Sequence, residues 1–117
     1  MWSSSYSTGV QEFDADHAHI DVVIGHVAKA VNPENEKKLL MDVYCSIISH
    51  VEFKSSFLGS KLSLGEQNDD ALFLRNVRDK MREREAGAIS RRQLIMDLRH
   101  MLMVHAMAHE TQERRSA

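Results

Sequence analysis

Apolar residues recur every three or four positions along nearly the whole chain, in four stretches parted by its few helix-breaking residues. The first stripe reads His17, Ile20, Ile24, Val27 and Val31. With Asp14 or Asp16 as its cap, it predicts a helix over residues 14–31. Asn32-Pro33 ends that helix, because proline disfavours helical geometry in the residue before it and donates no backbone hydrogen bond. The second stripe is Leu39, Val43, Ile47, His50, Lys54 and Phe57, widened by Leu40, Ile48 and Leu58. It predicts a helix over 35–58, closed by Gly59, with a loop from Gly59 to Gly65. A third helix over 66–85 carries Glu66, Asp70, Phe73, Val77 and Met81 on one face and ends in the charged run from Lys80 to Glu85. Gly87 separates it from a fourth over 90–112, where Leu94, Leu98, Met101, Leu102 and His105 align and His109 lies one turn further on. The polar residues beyond Glu110 are expected to fray.

Four helices of this length with short connections predict an all-α fold, an up-down-up-down antiparallel four-helix bundle over 14–113 preceded by an extended arm over 1–13. At 117 residues this is a single domain, able to bury a core without disulfides. In that topology the start of the first helix, the end of the second, the start of the third and the end of the fourth share one end. His17, His50, Lys54, Glu66, Asp70, His105 and His109 would therefore meet there.

The charge balance narrows the function classes. Fifteen Lys and Arg face seventeen Asp and Glu, interspersed, so no basic field marks a nucleic-acid or membrane binder. Arg82, Arg84, Arg91 and Arg92 cluster around the third connection, but Glu83 and Glu85 interrupt them and no aromatics accompany them, which predicts a solvated face. No apolar run approaches a membrane span and no basic-then-apolar leader opens the chain, so a cytoplasmic protein is expected. The one cysteine, Cys45, lies in an apolar helical stretch and is expected to be a buried, inert thiol. Phosphate-binding glycine loops, Cys-x-x-Cys pairs and serine-nucleophile motifs are missing. His19, His26 and His100 are assigned no role and are expected at surface or structural positions.

Imidazoles and carboxylates converging inside a bundle need partners, and iron, manganese or zinc would supply them. The arm sharpens this. Trp2, the Tyr-x-x-Gly-Val run from Tyr6 to Val10 and the Asp-x-x-His step from Asp14 to His17 are followed by His50 and then by His105 with Glu110 five residues on. This pattern resembles the bacterial hemerythrins. The resemblance implies two irons, dioxygen as ligand, and an arm whose Trp2 and Tyr6 pack on the outside of the bundle. The chain departs from that pattern at the site itself. Lys54 stands where the resemblance implies a bridging glutamate, and Glu110 where it implies an aspartate. Glu66 and Asp70 stand where it implies two histidines; counting from His50 instead places Asp69 and Phe73 there.

A lysine ammonium offers no lone pair and repels a cation, so at most one tightly bound ion is expected, on His17 and His50 with His105 and Glu110. His109 is a candidate substitute ligand. Two readings follow. One is a hemerythrin-like, non-haem metal-binding domain, atypical and carboxylate-rich, for oxygen, iron or redox handling, with dioxygen or a small ligand as partner. The other is a metal-free bundle acting as a regulatory or protein-interaction module, with a protein partner or a second copy, in which Lys54 pairs with Glu66, Asp70 or Glu110 in place of a cation. A blander alternative has Lys54 snorkelling to water. Oxidase or peroxidase chemistry ranks third, since no substrate is indicated, and an enzyme is not the expectation.

Overall fold

A computed structural model describes residues 8 and 10–116, with side chains through residue 108. Trp2, Tyr6 and Gly9, and the side chains of His109 and Glu110, lie outside the described residues. The described residues form four α-helices, α1 (Gln11–Val27), α2 (Pro33–Leu58), α3 (Leu64–Glu85) and α4 (Arg91–Ser116), and no strand. Helix α1 packs on α2 and α4, and α3 packs on the same two, which closes a ring of four. A 26-residue helix is about 39 Å long, close to the 45 Å longest dimension of the molecule, so α2 and α4 run along it.

The caps explain where each helix begins and ends. Helix α1 starts three residues before the expected position and has no side-chain cap. Asp14, expected as a cap, instead accepts from the Thr8 backbone N–H at 2.7 Å and from the Thr8 hydroxyl at 2.9 Å, which ties the buried Thr8 to the first turns of α1. The far end of α1 also differs. From Ala28 to Ala30 each N–H bonds the carbonyl three residues back, so the coil tightens and the α-helix stops at Val27 rather than 31. Val31, expected on the inward stripe, is 82 % exposed as a result.

Asn32 caps α2 through its side chain, which accepts from the Asn35 N–H at 2.8 Å, and Pro33 takes the first helical position, where its missing N–H is harmless. Gly59, at φ +53°, ends the helix at Leu58. The expected loop from Gly59 to Gly65 is shorter than predicted: a single 3₁₀ turn spans Gly59–Lys61, and Ser63 caps α3 by accepting from the Glu66 N–H at 3.1 Å. After α3, Gly87 at φ +78° and the Ala88 N–H to Glu83 carbonyl bond of 2.9 Å form a Schellman turn. Helix α4, capped by Ser90, runs four residues past its expected end.

The core is formed by the predicted stripes, with Ile20, Ile24, Val43, Ile47, Val77, Leu94, Leu98 and Leu102 in one cluster. Phe57 is a correction, being half exposed beside Phe53. Cys45 is another. It is exposed, because it lies on the face of α2 opposite the inward Val43 and Ile47.

The expected solvated basic face is in part a clamp. Glu36, 7 % exposed on the first turns of α2, accepts from Arg84 Nε at 3.2 Å and Arg91 Nε at 2.9 Å. The same arginines reach the carbonyls of Ile89 and Ala30. One carboxylate thus holds α3, α4 and the α1–α2 connection at the end of the molecule away from the histidines. Glu36→Ala should lower the unfolding free energy by about 2 to 3 kcal/mol, the scale of hydrogen bonds to charged groups left unmade. Urea melts check this, and a loss below about 0.5 kcal/mol would show that the arginines are solvated without it. Lys80 bridges α3 and α4 more openly, held above its ordinary pKa by Glu83 at 3.1 Å and Asp97 at 3.3 Å.

Candidate metal centre

The periodicity that builds the core also places polar groups in it. His17 on α1, His50 and Lys54 on α2, Glu66 and Asp70 on α3, and His105 on α4 all lie on inward stripes, and all six are buried. They form two adjoining groups.

The first consists of His17, His50 and His105, each able to turn one ring nitrogen to a common point, with those atoms all within 4.8 Å of one another. The three rings pack edge to face, with centroids 4.5 to 5.7 Å apart. His17 Nε2 lies 2.9 Å from His50 Nε2. His50 Nδ1 lies 2.9 Å from Asp16 Oδ2, a residue considered above only as a helix cap. Phe13 stands edge-on to His50, and Phe73 stacks on His105 at 4.3 Å.

The second group surrounds Lys54. Its side chain has no solvent exposure, and its Nζ lies 3.3 Å from Glu66 Oε2 and 3.4 Å from Asp70 Oδ1. Snorkelling to water is thereby overturned, since burial leaves the ammonium to the two carboxylates. Asp70 joins the groups, its Oδ1 also lying 3.9 Å from His105 Nδ1. Asp69, the alternative counterpart of an implied histidine, is exposed, whereas Glu66 and Asp70 point inward.

Chemically, three buried imidazoles are, in their neutral form, a donor set for zinc, iron or manganese. Tetrahedral metal–nitrogen bonds of about 2.0–2.1 Å separate two ligand nitrogens by about 3.3 Å, so the His17–His50 pair, hydrogen-bonded at 2.9 Å, would have to open slightly to admit an ion. One nitrogen of His105 lies within 4.8 Å of ring nitrogens of the other two. The place between Glu66 and Asp70 is taken by the Lys54 side chain. A half-open groove between α3 and α4, about 320 Å³, is lined by Leu72, Met101 and Val104 and reaches Phe73 and His105.

Among the described residues no helix is long and apolar enough to cross a membrane. No family model matches the chain, and no curated protein or solved structure matches it. The fold and the site together define an all-helical domain with a buried histidine–carboxylate cluster able to hold a metal ion.

Proposed function

We propose that this chain is a hemerythrin-like, non-haem metal-binding domain that holds one divalent ion on His17, His50 and His105 and uses it in oxygen, iron or redox handling. The observation that carries the reading is the convergence of three buried histidines from three helices. Its architecture on this reading is an up-down-up-down antiparallel bundle. The histidines at one end and the Glu36 clamp, with Arg84 and Arg91, at the other support that arrangement. The ion would supply Lewis acidity and an open coordination position. The protein's own part is to orient the imidazoles, to exclude water with Phe13 and Phe73, and to hold Lys54 where a second ion would otherwise sit.

A metal-free module is the second reading, and one observation favours it. Lys54 with Glu66 and Asp70, and His17 with His50, already satisfy much of the buried polarity without an ion.

Metal analysis of protein purified without chelators or a nickel column separates the two. The metal-binding reading expects close to one ion per chain after loading and dialysis. It also expects no absorption from an oxo-bridged diferric pair after exposure to iron and air. Two tightly held irons with that absorption would overturn the role given to Lys54, and no retained ion would favour the metal-free module.

A further inference from the structure

Asp16 has no place in the ligand set or the core, yet its carboxylate reaches across from α1 to the buried ring of His50. We propose that Asp16 is the positioning residue of the centre, fixing which nitrogen of His50 faces inward. This inference rests on the metal-binding reading above.

The argument follows the protons. A carboxylate can only accept, so at 2.9 Å from Asp16 Oδ2 the His50 Nδ1 carries the hydrogen and donates it. A neutral His50 then has its lone pair on Nε2, pointing at the cluster. His17 Nε2, 2.9 Å away, must accordingly carry a hydrogen and donate it to His50 when no ion is present. A single carboxylate thus sets two tautomers. It leaves the His50 lone pair on Nε2, whereas His17 ligates through Nε2 only after its proton has moved from Nε2 to Nδ1. A carboxylate behind an imidazole also raises the basicity of the far nitrogen, and loss of such a partner typically weakens metal binding about 10- to 100-fold.

Position distinguishes this contact from a surface ion pair. Asp16 is about one-third exposed, but the ring it holds is buried, with Phe13 edge-on to it. His50 therefore has few ways to turn. Asp16 precedes His17 directly, so one turn of α1 supplies both a ligand and the group that orients its neighbour.

The test has two arms. In metal-free protein, nitrogen-15 NMR should show His50 protonated at Nδ1 and His17 at Nε2. Asp16→Ala should abolish the His50 preference. Zinc(II) affinity, measured by competition with a chromophoric chelator, should fall about 10- to 100-fold in Asp16→Ala. Glu12→Gln, which removes the same charge from an exposed position on the same helix, should stay within about twofold of the wild type. An unchanged His50 tautomer in Asp16→Ala, or an equal loss of affinity in Glu12→Gln, would overturn the proposal. Failure of the wild-type protein to bind zinc would sink the metal-binding reading instead, and the tautomer arm would still decide the role of Asp16.

Discussion

Lys54→Met should destabilise the protein by about 3 to 5 kcal/mol, the usual cost of removing one partner from a buried ionic group. Methionine fills a similar volume and packs well against apolar neighbours, so little of the loss would come from a cavity. The loss comes from Glu66 and Asp70, which are 4 % and 3 % exposed and would lose the Lys54 ammonium beside them. The triple variant Lys54→Met, Glu66→Gln, Asp70→Asn should regain most of the stability, because replacing a whole buried ionic group by neutral groups of similar shape is often close to neutral. The same single substitution should raise the affinity for added divalent metal, since it removes the repelling charge and frees two carboxylates. Urea melts with and without added manganese(II) or zinc(II) read both effects. A change under about 0.5 kcal/mol would show that the ammonium is not compensating these carboxylates. A large loss of stability with an unchanged metal response would make Lys54 purely structural.

Much of this arrangement was legible from spacing alone. The three- and four-residue steps that put Ile20, Val43, Val77 and Leu98 in the core also put His17, His50, Lys54, Glu66, Asp70 and His105 there, because one periodicity governs both. The four helices bring those positions together in two adjoining buried groups. What escaped was whatever depends on hydrogen-bond choice rather than on period. Asp14 and Asp16 are both good caps by residue type, yet Thr8 and His50 offer them better-placed donors. The early stop of α1 at Val27 left the expected inward Val31 in solvent. Glu36, Arg84 and Arg91 are separated by up to 55 residues, so their clamp had no local signal. Cys45 is different: its angular distance from Val43 and Ile47 already placed it outward, and the apolar composition around it outweighed that angle.

Saturating zinc(II) should raise the unfolding free energy of the wild-type protein by about 4 kcal/mol when free metal exceeds the Kd by about a thousandfold. For a chain of this size that corresponds to a rise in Tm of roughly 10 to 20 °C. The sign follows from geometry: three imidazoles held within 4.8 Å bind the ion together, whereas the unfolded chain spreads them over 89 positions, from 17 to 105. His105→Phe should remove most of that rise. Phenylalanine keeps an aromatic ring against Phe73, where His105 now stacks at 4.3 Å, so the metal-free variant should still fold. It deletes one of three nitrogens, which leaves His17 and His50 to hold the ion alone. The rise should also fade as the pH is lowered, since imidazoles must shed their protons to ligate and acid competes directly with the metal. Differential scanning calorimetry of both proteins, with and without zinc, checks the whole set. A wild-type Tm that zinc leaves unchanged would point to the metal-free module, while an equal rise in His105→Phe would place the ion somewhere other than among these three histidines.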